Sequence, residues 1–161
     1  MKILLVIIFL FLPNISNAQN VGSQTGLPLP RFASLKSDET NVRTGPGLRY
    51  PIKWVLVRKD MPIEITNEYD QWRKIKDIQG DEGWVHMAVL SGKRTAIVQI
   101  NNSIITEKES ESSPPVATME NGVMVGLKKC SNQICKVEVM GLEGYISKVN
   151  IWGVYAEEVF E

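Results

Sequence analysis

The sequence is short of the residue types that most catalytic and metal sites require. Among 161 residues there is one histidine, His86, and there are two cysteines, Cys130 and Cys135. A lone histidine cannot form a catalytic triad without a nucleophile and an orienting acid, and no motif places either one. The cysteines lack C-x-x-C spacing and have no histidine nearby, so a metal site is not expected. We therefore predict a protein without catalytic activity, cofactor or metal.

The chain also lacks net charge and, beyond its first residues, long apolar runs. Lys and Arg together number 18, as do Asp and Glu, so the formal net charge is zero. A balanced surface creates little attraction for a polyanion. After residue 12 no stretch is long and apolar enough to cross a membrane. We therefore predict no nucleic-acid partner and no stable membrane insertion of the mature chain.

The N-terminus has the pattern of a removable export signal. Lys2 supplies a positive charge, residues 3–12 form an unbroken apolar run, and Ser16–Ala18 provide small residues for cleavage. A membrane anchor is the alternative, but a span needs about 20 apolar residues, roughly twice this run. We predict a signal peptide over residues 1–18, cleavage before Gln19, and a mature protein in the periplasm or cell envelope.

The two cysteines gain a structural meaning from this predicted export. In an oxidising compartment, a close pair such as Cys130 and Cys135 is expected to form a disulfide. So short a loop removes little chain entropy, and we expect a stabilisation of about 2 kcal/mol or less. The predicted role is a structural cross-link of a hairpin in the second half of the chain.

One segment of the chain occurs twice. Glu82–Val85 (EGWV) recurs as Glu143–Ile146 (EGYI), and Ala88–Gly92 corresponds to Val149–Gly153, each 61 residues further on. A repeat of this length is too long for a solenoid unit and suits a small all-β domain. We therefore predict two copies of one fold.

Short alternating segments fill both copies. Residues 52–57 alternate between two faces, as expected for a half-buried strand, and turn signals follow every several residues. No window has a sustained helical period, so we predict an all-β chain of two small barrels. The expected boundaries are 19–31 for a flexible mature N-terminus, 32–98 for the first barrel, whose closing strand is Arg94–Ile100, and 99–161 for the divergent second.

These motifs resemble the bacterial SH3-like domain (SH3b), closest to its exported two-copy branch. The resemblance covers about residues 32–159 and is carried by Asn41–Gly47, Tyr50–Pro51, Trp72–Ile75, Glu82–Val85, Leu90–Thr95 and Trp152–Tyr155. It implies tandem SH3-like β-barrels in the cell envelope. Such domains bind peptidoglycan or peptides, often beside a catalytic domain. The second copy lacks the Gly-Pro-Gly turn and has Tyr145 in place of Trp84, so a purely structural role for it is open.

Aromatic residues crowd the first copy. Trp54 and Trp84 are expected in the core, because small barrels fill their interior with large side chains. Tyr50 and Tyr69 lie in turns beside charged residues and are better candidates for an exposed stacking surface.

The predicted binding groove has Arg43, Arg49 and Tyr50 on one side and Tyr69 and Trp72 on the other. The predicted function is non-catalytic recognition of peptidoglycan or a peptide in the cell envelope. The alternative is a periplasmic protein–protein adaptor or scaffold, in which the paired barrels dock an envelope protein or peptide through a sheet edge.

Overall fold

The computed structural model describes residues 20–110 and 112–161, and this part of the chain is all β. Its strands are β1 Arg31–Leu35, β2 Thr40–Arg43, β3 Ile52–Leu56, β4 Pro62–Tyr69, β5 Trp72–Lys76, β6 Glu82–His86, β7 Leu90–Ser91, β8 Thr95–Val98, β9 Ser103–Thr106, β10 Pro115–Met119, β11 Met124–Cys130, β12 Ile134–Val139, β13 Leu142–Ser147 and β14 Ile151–Trp152. Short 3₁₀ turns, η1 Met87–Val89 and η2 Lys148–Asn150, precede β7 and β14. The predicted signal peptide, residues 1–18, lies outside the described residues.

The strands form two sheets of seven with the same topology. The first has the order β3-β2-β6-β5-β4-β1-β7 and the second β10-β9-β13-β12-β11-β8-β14. Each strand of the second sheet therefore has a counterpart seven strands earlier. We call residues 31–91 the first unit and residues 95–152 the second unit. Closure of either sheet into a barrel stays a prediction.

The strand between the two units belongs to the second sheet. Residues 94–100 were expected to close the first barrel, but β8 pairs with β11 through Ile97 opposite Met124 and with β14 through Val98 opposite Ile151. All four β8 residues are buried. In the sequence, this apolar run could end the first unit or begin the second. The strands with which it pairs decide that it belongs to the second.

Each unit has its own apolar core. In the first, Leu35, Val42 and Ile63 have no exposed surface, and Trp54 packs against them as expected. In the second, the core includes Ile105 and Val137. The alternation of buried and exposed residues along β2 and β6 places the remaining side chains on the outer face, where the candidate site lies.

The segment before β1, expected to be flexible, is folded against the first unit. The Glu68 carboxylate, whose side chain is fully buried, accepts hydrogen bonds from the backbone N–H groups of Gln24 and Thr25 and from the Thr25 hydroxyl. Arg31 Nη2 donates to the same carboxylate at 2.7 Å, and Arg73 lies beside it on β5. The composition of the segment does not predict these hydrogen bonds, because their acceptor lies about 40 residues away along the chain.

The expected disulfide joins Cys130 and Cys135. These cysteines are a cross-strand pair of β11 and β12, at the position that Glu68 and Arg73 occupy between β4 and β5. The C-terminal segment pairs there too, because the backbone of Phe160 exchanges two hydrogen bonds with that of Cys130. An ion pair and a disulfide thus hold equivalent hairpin ends, each covered by one end of the described chain.

Side chains also connect the first unit with the second unit and with the segment that follows it. Tyr155 donates its hydroxyl to Glu64 Oε1 at 2.8 Å, and the Phe32 ring packs edge-on against Trp152 with centroids 5.0 Å apart. The Thr95 hydroxyl donates to the Asp60 carbonyl at 2.7 Å. Each unit alone has a small core, so these contacts add to its stability.

No helix in residues 20–110 and 112–161 has the length and apolar character needed to span a membrane.

Candidate functional site

A cleft of about 170 Å³ opens on the outer face of the first unit, where β2, β5 and β6 adjoin the turn after β2. We call it the first cleft. Its lining combines two aromatic rings, two apolar side chains and a polar rim, and comprises Glu39, Asn41, Arg43, Leu48, Trp72, His86 and Val89. Strands supply the floor and a turn supplies one wall, so the site is formed largely by rigid backbone.

Strand pairing brings the floor residues together. Trp72 on β5 lies directly opposite His86 on β6, and Arg43 on β2 lies opposite Trp84. Trp84 was expected in the core, yet it is half-buried on the outer face, because the strand alternation that buries Val85 turns its neighbours outward. Trp84 therefore extends the aromatic surface next to the cleft.

The rings of Trp72 and His86 form a fixed pair. They meet edge to face with centroids 5.4 Å apart. The His86 Nδ1 atom accepts a hydrogen bond from the Ala88 N–H, so the neutral ring carries its proton on Nε2, which donates to Gln71 Oε1 at 2.9 Å. Both ring nitrogens are engaged, so His86 is held in one orientation on the floor of the cleft.

Arg43 holds the wall opposite the aromatic floor. Its Nη1 donates to the carbonyls of Tyr50 at 2.8 Å and Leu48 at 3.2 Å. The Tyr50 ring lies so close to Gly45 that a Cβ there would come within 2.5 Å of it. The turn therefore needs glycine at this position. Leu48 in the same turn is 78% exposed at the rim of the cleft.

Arg49, Tyr50 and Tyr69 lie outside the lining of the first cleft; Arg49 and Tyr69 are exposed and Tyr50 is half-buried. The Arg49 guanidinium lies 5.1 Å from the centre of the Tyr50 ring and donates to its hydroxyl at 3.3 Å. The hydrogen bond to Tyr50 raises the pKa of Arg49, and Tyr69 adds to the rise. Tyr69 is 61% exposed at the end of β4.

The five residues predicted for the groove thus divide into two sets. Arg43 and Trp72 line the first cleft, whereas Arg49, Tyr50 and Tyr69 do not belong to its lining. Their role in ligand binding stays a prediction. Sequence reasoning missed Leu48, the most exposed apolar side chain of the cleft, and did not include His86 in the predicted groove. The period of two along β6 is the signal that links His86 with Trp84.

Within the described ranges, no group of three or more His, Cys, Asp or Glu side chains is arranged to hold a metal ion. The chemistry that the first cleft offers is stacking, apolar contact and charged hydrogen bonds at its rim.

Solved structures similar to this chain include two proteins from Trichomonas vaginalis, NlpC2 and NlpC1. Their sequence identities are 12% and 13%, they cover 76% and 81% of this chain, and both TM-scores are 0.36. An NlpC/P60 family protein from Bacillus cereus ATCC 10987 is similar at 10% identity over 75% of the chain, with a TM-score of 0.34. This chain covers 48% of the length of each of the first two structures and 55% of the third.

No curated protein matches the sequence. The family model described as bacterial SH3 domain matches it over two segments, residues 36–92 and 110–153. The first segment contains most of the first unit, including the first cleft, and the second contains β10–β14. Because these segments together make up more than half of the sequence, the chain belongs to the bacterial SH3 domain family, with two copies of the domain.

Proposed function

We propose that this chain is an exported, non-catalytic binding module of the cell envelope that recognises peptidoglycan or a peptide through the first cleft. The family supports the general role, because bacterial SH3 domains are typically cell-wall binding modules. The observation that carries the site is the exposed Leu48 beside the Trp72–His86 pair. An apolar side chain 78% exposed next to a fixed aromatic pair is a typical contact surface.

The rim of the first cleft suits a zwitterionic or amide-rich ligand. Glu39 and Arg43 place a carboxylate and a guanidinium on the lining. These groups can pair with an amino group and a carboxylate of a short peptide, and the half-buried Trp84 next to the cleft adds an aromatic ring that can contact a sugar or a side chain. Peptidoglycan contains both peptide and sugar parts.

Binding is favoured over hydrolysis by the state of His86. A general base needs a free nitrogen within reach of the proton it removes, but both His86 nitrogens are committed to Gln71 and Ala88. The predicted signal peptide and the Cys130–Cys135 disulfide support export, since disulfides persist in oxidising compartments.

A pull-down of the purified mature chain on insoluble peptidoglycan tests the proposal. The wild type is expected in the pellet, and Leu48→Asn is expected to weaken retention by about fivefold or more, because the lost apolar contact lies at the cleft. Met140→Asn is the control, since Met140 is fully exposed on the second unit. Equal retention of wild type and Leu48→Asn would exclude the first cleft, and no retention of any form would exclude peptidoglycan.

An adaptor function is the second candidate, favoured by the free edge of the first sheet. Strand β3 is the last strand of that sheet, and Ile52 and Val55 on it are 48% and 44% exposed. An unpaired strand edge with apolar side chains can accept an added strand from a partner. Binding to envelope proteins without retention by peptidoglycan, lost on changing Val55 to Lys, would support this function instead.

A further inference from the structure

We propose that the second unit has a binding site of its own, which takes an uncharged peptide segment carrying an aliphatic side chain. The site is a cleft of about 270 Å³ on the outer face of the second sheet. We call it the second cleft. The proposal does not rest on the function of the first cleft, because the two sites lie on different sheets and differ in chemistry.

Strand pairing shows that the two clefts occupy equivalent places. Thr106 on β9 lies opposite Tyr145 on β13, as Arg43 on β2 lies opposite Trp84 on β6. The second cross-strand pair of each cleft repeats as well. Ile134 faces Ser147 across β12 and β13 at the positions that Trp72 and His86 occupy across β5 and β6.

The ionisable groups of the first cleft are replaced in the second by uncharged side chains. The three replacements are Glu39 by Asn102, Arg43 by Thr106 and His86 by Ser147. The nearby cation Lys136 forms a salt bridge with Glu143 at 2.6 Å, so its charge is compensated. A charged ligand group buried here would lose hydration without gaining a counter-charge, and a neutral ligand is therefore favoured.

Aliphatic side chains line the second cleft where the first has polar or aromatic ones. Ile104 is 52% exposed and takes the place of Asn41, and Ile134 takes the place of Trp72. Replacing the indole by a smaller side chain accounts for the larger volume of the second cleft. Sites for drug-sized molecules measure roughly 300–1,000 Å³, so this cleft suits one or two amino-acid residues.

Polar groups at the margin of the second cleft are available to a peptide backbone. Ser147 begins η2 but makes no capping hydrogen bond, whereas its counterpart His86 caps η1. The side-chain amides of Asn102 and Asn150 also belong to the lining of the cleft. Neutral donors and acceptors around an aliphatic floor match the amide groups and side chain of a peptide.

The test is a titration of the ¹⁵N-labelled mature chain, followed by NMR, with capped tripeptides. Acetyl-Ala-Leu-Ala-amide is the neutral probe, and the same peptide with Lys or Glu at the centre provides the charged comparisons. We expect shifts at Ile104, Ile134 and Ser147 with the leucine probe, and binding about tenfold weaker with either charged probe.

Two variants make the result specific. Ile104→Asn, which copies Asn41, is expected to weaken binding of the leucine probe by about tenfold. Met140→Asn, a change at a fully exposed residue outside the lining of both clefts, is expected to leave it unchanged. Ser147→Glu is expected to raise the affinity for the lysine probe, and this gain cannot arise from a failure to fold. Absence of shifts at the second cleft with the leucine probe, equal binding of all three probes, or unchanged affinity in a stably folded Ile104→Asn variant would overturn the proposal.

Discussion

The buried carboxylate of Glu68 makes the stability of the first unit depend on pH in a calculable way. Burial alone would raise the pKa of Glu68, but hydrogen bonds from Arg31, Thr25 and the Gln24 backbone outweigh it and lower that pKa from 4.5 to about 2. A shift of this size corresponds to about 3 kcal/mol, which is the upper contribution of ionised Glu68 to the free energy of unfolding.

The sign follows from the direction of the pKa shift. Since the unfolded chain holds this proton more tightly, the contribution is complete above pH 4.5 and is lost as the pH falls towards 2. It amounts to about 1.5 kcal/mol at pH 3 and less than about 0.5 kcal/mol at pH 2. Changing Glu68 to Gln removes the ionised group at every pH and leaves Arg31 and Arg73 without the negative charge of this carboxylate.

Thermal unfolding of wild type and Glu68→Gln, followed by circular dichroism from pH 7 to pH 2, measures this dependence. At pH 7 the Tm of the variant is expected to be about 10 °C lower than that of the wild type. This follows from a loss of about 3 kcal/mol in the free energy of unfolding and a change in Tm of roughly 3 °C per kcal/mol. The difference is expected to disappear by pH 2. Glu143→Gln is the control, because the Glu143–Lys136 pair is exposed and contributes little. A gap between Glu68→Gln and wild type that stays constant across this range would refute the reasoning.

Two further changes test the packing of the units. Gly83→Ala would place its Cβ against the Val42 side chain and 3.0 Å from a backbone oxygen, and is expected to destabilise the protein by about 1–3 kcal/mol in denaturant unfolding. Gly92→Ala, with open space around it, is the control and should unfold as wild type does. Removing the disulfide by changing Cys130 and Cys135 to Ser is expected to cost about 2 kcal/mol; a loss above 4 kcal/mol would show that loop closure is not its main contribution.

Much of the architecture could be predicted from the sequence, because the repeat preserves strand order. The 61-residue offset holds through β6, η1 and β7 and their counterparts. Earlier in the units the offset differs, since Ser103 on β9 lies 63 residues after its counterpart Thr40 on β2. Loops of unequal length hide this part of the duplication from a fixed-offset comparison, and the common hydrogen-bond order reveals it.

The candidate site was only partly predictable. Arg43 and Trp72 could be linked with turns and strands, but Leu48 lies in a turn that Arg43 joins by hydrogen bonds to two carbonyls, and these bonds leave no pattern in the sequence. Trp84 was assigned to the core because of its size, whereas its position in the alternation of β6 places it outside. For Trp84, the alternation along the strand predicts the side on which the residue lies better than the size of its side chain does.

The equivalent hairpin ends of the two units are held by different interactions, an ion pair in the first and a disulfide in the second. The stability of each unit therefore depends on a different solution condition. Protonation of the Glu68 carboxylate weakens its hydrogen bonds with the N-terminal segment, whereas a thiol reductant cleaves the disulfide between Cys130 and Cys135. Low pH therefore destabilises the first unit, and reducing conditions destabilise the second. The two units do not lose stability through the same chemical reaction.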